Sequence, residues 1–230
     1  MAHVDASGMK IAVVLSGCGV YDGTEIHEAV LTLLAIEEAG ATWHCFAPNV
    51  DQMHVVDHTT GKDMDETRNV LVESARIARG QIADLATYDP AEFDALVFPG
   101  GFGGAKNLSN FAVQGTEATV RGDVRAAVAS TQAVGKPIGF VCVTPASVGA
   151  FTSTADRLTV GSAEDPAAGA IQALGKTHVA CPVQQAIVDE EHLVVSTPAY
   201  MYGDARVSEV RAGIQQCIQD VVRLAQTVTA

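Results

Sequence analysis

The sequence is short of positive charge, of aromatic side chains, of paired cysteines and of long apolar runs. Lys and Arg number 14 against 27 Asp and Glu, a formal net charge of −13. So acidic a chain repels phosphate backbones and anionic lipid headgroups, which speaks against nucleic acid or a membrane surface as partner. No apolar stretch approaches the roughly 20 residues that a membrane-spanning helix needs. The first eight residues, MAHVDASG, have neither the basic nor the apolar region of a secretory signal. Met9 and Lys10 are expected to mark the natural start, with residues 1–8 an extension or tag ahead of one domain over residues 9–230. The five cysteines (Cys18, Cys45, Cys142, Cys181, Cys217) are odd in number and scattered, without a CxxC pair. That usage fits reduced thiols in a cytoplasmic protein and speaks against a disulfide framework. Among the seven histidines there is no HExxH, and His54 and His58 have no third ligand near them, so no metal is expected.

What is present is apolar. At 48% hydrophobic content, 230 residues can bury the core of one α/β domain. Residues 10–16 form a continuous apolar run, as in a strand buried on both faces. Residues 25–38 carry apolar side chains at helical spacing, with Asp22 or Thr24 as the expected cap and Gly40 as the stop. A second strand follows over residues 42–47. This strand–helix–strand opening predicts a parallel sheet with a right-handed crossover. Gly17, Gly19 and Gly23 miss the GxGxxG spacing by one residue and no acid ends the second strand, which speaks against a dinucleotide site. Residues 49–89 read as an insertion beside the sheet, with a short strand at 53–58 and a helix at 65–79. Further strands are expected at 94–98, 136–141, 157–160 and 178–182, a hairpin at 186–196 and a closing amphipathic helix at 204–226. The whole predicts a three-layer α/β sandwich around a mostly parallel, doubly wound, flavodoxin-like sheet.

Two stretches carry chemistry. In KPIGFVCVTPA, residues 136–146, a buried strand ends at Cys142 and a Pro-led helical segment follows. Such an elbow lifts the thiol above the carboxyl edge of the sheet, where free helix N–H groups favour thiolate and make Cys142 the most acidic of the five thiols. The alternative is a free cysteine packed as a small hydrophobe. In PGGFGGAKNLS, residues 99–109, four glycines in five positions bare backbone N–H groups at the end of the preceding strand. They read as an oxyanion site facing the elbow, or as a tight turn that needs positive φ. The Gly-Lys-Ser/Thr ending of a phosphate loop is missing.

These stretches, with VLSGCGVYDGTEIHE at 14–28, RNVL at 68–71, ARIARG at 75–80 and TPAYM at 197–201, resemble the PfpI-like branch of the class I glutamine-amidotransferase-like superfamily. Within it the resemblance is to the ElbB-type isoprenoid-biosynthesis proteins, described as amidotransferase-like and as glyoxalases. The resemblance runs from residue 10 to about 225 and implies the amidotransferase-like α/β fold with a cysteine elbow. It implies Cys142 as nucleophile, with the N–H groups of Gly101 and Val143, beside Gly100, as oxyanion and substrate-binding donors. The family's cleft glutamate lies twelve residues before the glycine ending the first helix; counting back from Gly40 gives Glu28, with Glu25 as rival one turn away. Hydrolytic relatives have Cys-His-Gly-Pro at the elbow, whereas Val143 and Thr144 stand here before Pro145. No local Cys–His–acid triad for amide hydrolysis can therefore be built. A later histidine of some relatives likewise has no counterpart at Gly161 and Ser162.

The resemblance thus implies a cofactor-independent, glutathione-independent glyoxalase acting on small 2-oxoaldehydes in a cytoplasmic homodimer, with Glu28 as acid and base. The alternative is a cysteine-based redox or stress sensor, or an amidotransferase-like interaction protein affecting isoprenoid biosynthesis. A weaker third reading is an amidotransferase-type subunit served by a partner.

Overall fold

The computed structural model describes residues 5–228; of the expected extension, residues 1–4 lie outside the described residues. Within it Ala6 packs against the domain: it is buried and its N–H donates to the carbonyl of Ala39 (2.7 Å).

The chain opens with β1 (Lys10–Val14), α1 (Ile26–Glu38) and β2 (Thr42–Ala47), as the apolar pattern predicts. A small hairpin, β3 (Val56–Asp57) and β4 (Lys62–Asp63), leads to α2 (Val70–Ile77) and β5 (Ile82–Asp84). Then come β6 (Ala95–Phe98), the short helices α3 (Phe102–Lys106) and α4 (Phe111–Gln114), α5 (Gly122–Ala133) and β7 (Ile138–Val141). After a wide helical turn, Pro145–Gly149, follow α6 (Ala150–Thr152), β8 (Arg157–Leu158), α7 (Pro166–Ala173) and β9 (Thr177–His178). The antiparallel pair β10 (Ile187–Asp189) and β11 (Val194–Thr197) and the long α8 (Val207–Val228) complete it.

Seven strands form the main sheet in the order β10-β11-β7-β6-β1-β2-β5, all parallel except β10. Alternate residues of β1 point to opposite faces, as the strand pleat requires. Ile11, Val13 and Leu15 enter a core with Ala29, Leu33 and Ile36 of α1 and Ile214, Ile218 and Val222 of α8. Ala12 and Val14 enter another with Phe98, Phe140, Val124 and Val128 of α5 and Ile171 of α7. Each fully buried branched side chain contributes on the order of 1.5–3 kcal/mol, so both faces must be covered and three layers result.

Three expectations differ. Residues 49–89 are not all an insertion, because α2 and β5 make a parallel crossover that extends the main sheet beyond β2. Only β3 and β4 stand apart, as a separate two-stranded sheet. β8 and β9 pair with each other and do not join the main sheet. The cap of α1 is neither Asp22 nor Thr24 but Glu25, whose carboxylate accepts the N–H of Glu28 (2.7 Å). Asp22 instead accepts the N–H of Val56 (2.7 Å) and Thr24 the N–H of Ser16 (2.7 Å), so both are spent tying loops together.

Candidate active site

At the carboxyl edge of the sheet, β7 ends in Cys142 at φ 63, left-handed backbone that a residue with a Cβ rarely adopts. Such a conformation costs on the order of 1–3 kcal/mol and persists only where neighbours fix it. Here the N–H of Cys142 donates to the carbonyl of Thr197 on β11 (2.9 Å). Below it, the buried Oγ1 of Thr144 accepts the N–H of Val141 (2.9 Å) and lies 3.0 Å from the carbonyl of Phe98 and 2.8 Å from that of Val141, to which it can donate. Thr144 thus fastens the elbow to the end of β6; its place two residues after the thiol was visible, its long-range partner was not.

The loop after β6 meets the elbow from the adjacent strand. Gly101 has φ 101, and a Cβ there would run into the backbone of Gly23 and Glu25. At Gly100 a Cβ would collide with Cys142 and the carboxyl of Glu28. Both glycines are therefore required by geometry. The N–H groups of Gly101 and Val143 are placed to favour the ionised form of the thiol. Gly100 does not join them as a free donor: its N–H donates to Oε2 of Glu28 (3.0 Å) and its carbonyl accepts the N–H of Glu25 (2.9 Å). Its expected oxyanion role is corrected to one of holding the acid.

Glu28 is the carboxyl that meets the thiol. It is 0% exposed, stands beside Cys142 across Gly100, and its Oε1 accepts the N–H of Tyr200 (3.1 Å). Glu25 caps the helix one turn away and is not among the groups bonded to Cys142. Burial pushes the Glu28 carboxyl up to about 8, helped by neighbouring Glu25 and opposed by the N–H groups of Tyr200 and Gly100 and by the thiol. At neutral pH it therefore mostly keeps its proton, and a protonated carboxyl can donate to sulfur.

The expectation of an unusually acidic Cys142 is corrected. Burial, then the charge of ionised Glu28, push the thiol well above the ordinary 9.0, outweighing the two N–H donors. Protonating Glu28 removes that charge, so thiol and carboxyl titrate as one unit. Cys18 is also raised, by burial and then by the charge of Glu73.

Cys142 is 8% exposed, so the residue is nearly closed off from solvent. Four described histidine rings have hydrogen-bond partners, none of them Cys142: His27 with Tyr200, His58 with Tyr21 and Val56, His178 with Val160, His192 with Asp189. Among the described residues no group of three or more His, Cys, Asp or Glu is gathered to hold a metal, all five cysteines are free, and no helix is long and apolar enough to cross a membrane.

No protein-family model matches the chain. It is 46% identical over 224 residues to the human protein "Glutamine amidotransferase-like class 1 domain-containing protein 3, mitochondrial", covering 94% of this chain and 83% of that one. Among solved structures it matches an isoprenoid biosynthesis protein with an amidotransferase-like domain from Ehrlichia chaffeensis, at 39% identity and TM-score 0.88, over 94% of this chain and 99% of that one. A DJ-1 superfamily protein from Salmonella typhimurium, 20% identical with TM-score 0.55 over 96% and 90% of the two chains, shares the fold. The human relative and the ES1 proteins of rat and zebrafish are all named as mitochondrial, which overturns the expectation of a cytoplasmic protein.

Proposed function

The chain belongs to the family of ES1 and glutamine amidotransferase-like class 1 domain proteins, and on that premise we propose that it is a cofactor-independent glyoxalase turning small 2-oxoaldehydes into 2-hydroxy acids. The observation that carries this reading is the closed pair of Cys142 and Glu28, which meet at Gly100 so tightly that a Cβ there would strike both, with burial keeping the carboxyl mostly protonated. A cysteine nucleophile with a single carboxyl suits addition to an aldehyde and movement of a proton between adjacent carbons. It does not suit amide hydrolysis, where the leaving amine needs the proton of a histidine-type partner and Val143 stands in that partner's place.

In this scheme the thiol first gives up its proton to solvent, Sγ of Cys142 bonds as thiolate to one aldehyde carbon of glyoxal, the C=O π pair moves to oxygen, and protonated Glu28 gives that oxygen its proton. The product is a neutral hemithioacetal. The N–H groups of Gly101 and Val143, released from sulfur as its charge disappears, stabilise the oxygen while charge builds on it. Glu28, now a carboxylate, removes the hydrogen on the sulfur-bearing carbon as a proton and returns it to the neighbouring carbon, while the hydroxyl proton passes to the second oxygen. The result is an isomerisation to a thioester, with no net change of oxidation state. Water then opens the thioester, releasing glycolate and the thiol.

Glyoxal turnover by wild type and Cys142→Ala, both dialysed against EDTA, tests the reading. Turnover that survives dialysis and falls to background in the variant is expected. An inactive wild type would sink it, and peroxide oxidation of Cys142 to sulfinate in that same protein would favour the redox-sensor alternative.

A further inference from the structure

One helix end grips Tyr200 at both of its ends. The N–H of Tyr200 donates to Oε1 of Glu28 (3.1 Å), and its phenol oxygen lies 3.1 Å from Nδ1 of His27, the residue just before Glu28. The rings of His27 and Tyr200 also meet, with centroids 5.9 Å apart. Each carboxyl oxygen of Glu28 thus has one backbone donor: Gly100 on Oε2, from the loop after β6, and Tyr200 on Oε1, from the loop after β11.

That loop is held under tension. Ala199 is fully buried at φ 44, a left-handed conformation that its Cβ disfavours. The chain on either side is pinned, by the Thr197 hydroxyl donating to the carbonyl of Gln185 (2.8 Å) and the Tyr202 hydroxyl donating to that of Cys181 (2.9 Å). Strain kept in a loop whose next N–H meets the acid of the candidate site is the pattern expected of a segment built to present that N–H.

We propose that Tyr200 is a positioning residue, its N–H holding one oxygen of Glu28 while the latch between its phenol and His27 keeps that N–H in place. The proposal rests on the reading of Glu28 as the proton carrier of the site. Four titratable groups bear on Glu28 or on the latch: the Cys142 thiol, the Glu25 carboxyl, the Tyr200 phenol and His27 at the rim. The Tyr200 N–H favours the ionised carboxyl, so loosening it makes Glu28 keep its proton to higher pH.

The test follows the carboxyl carbon of Glu28 by NMR in protein labelled with 13C-glutamate, its signal assigned by its loss in Glu28→Gln. Because it reads ionisation and not turnover, it gives an answer even if glyoxal is not the substrate. Tyr200→Phe and His27→Phe should each raise the midpoint by roughly half to one pH unit, and the double variant should move it no further. His27 is 58% exposed in its side chain, so its replacement leaves the fold intact if Tyr200→Phe does not. A midpoint unchanged or lowered in folded His27→Phe, or additive shifts in the double variant, would overturn the proposal.

Discussion

Both oxygens of Glu28 accept a backbone N–H, which makes a carboxyl the only side chain of that shape that fits without conflict. In Glu28→Gln the amide NH2 must face one of those donors, an unsatisfied buried contact costing about 1–3 kcal/mol. If Glu28 also carries the proton, glyoxal turnover in the folded variant should fall at least about a hundred-fold. Glu25→Gln keeps an oxygen for the N–H of Glu28, so it should cost only about 0.3–1 kcal/mol and a small part of the rate. Urea denaturation and initial rates on both variants check this, and the reverse order would move the acid role to Glu25. The motif around Cys142 was legible in the sequence, and so was the pair of candidate acids. Which acid caps the helix was not, because the better caps Asp22 and Thr24 are bonded to Val56 and Ser16, partners that only the fold brings near.

At the scale of elements, the buried strands and long helices could be read from apolar period alone, while the joints between loops could not. β5 is three residues long, too short for a period, and becomes a strand only because β2 offers it an edge. Asn107 is the sharper example. Its amide donates to the carbonyls of Ser16 (2.8 Å) and Asp22 (2.7 Å), and its Oδ1 accepts the N–H of Met53 (2.9 Å). One buried side chain thus joins the loop after β1, the segment leading to β3 and the loop after β6 that carries Gly100 and Gly101. Asn107→Ala strands three polar groups and should cost about 2–4 kcal/mol in a denaturation measurement. Asn107→Asp should be worse than isosteric, since a carboxylate would face two carbonyl oxygens. Equal stability of wild type and both variants would show that the loops are held by something else.

For the whole molecule, the candidate site leaves its mark on stability as a function of pH. The folded protein holds Glu28 up at about 8 against an ordinary 4.5, so between those values the native state keeps a proton that the unfolded chain releases. Stability then falls as pH rises through this window, each pH unit being worth about 1.4 kcal/mol, or on the order of 4–5 kcal/mol over the whole of it. Other groups slope the opposite way at the acid end. Burial holds His178 below its usual 6.5, so stability is lost as pH falls through its folded value. Burial raises the Asp189 carboxyl, but the N–H groups of Arg157, Asp156 and His192 and the His192 ring outweigh it, and that contribution is lost only in stronger acid. The surplus of acidic residues adds a repulsion that also grows with pH. These contributions are nearly the same in Glu28→Gln, so subtracting the two proteins isolates the site. Urea unfolding at pH 5, 6, 7 and 8 and constant ionic strength should show wild type ahead at pH 5, where its carboxyl is protonated and fully bonded. That advantage should shrink with each pH unit by about 1.4 kcal/mol and reverse before pH 8. A difference that stays flat would mean Glu28 is ionised in the folded protein at an ordinary value, and the proton that the proposed chemistry moves would not be there to move.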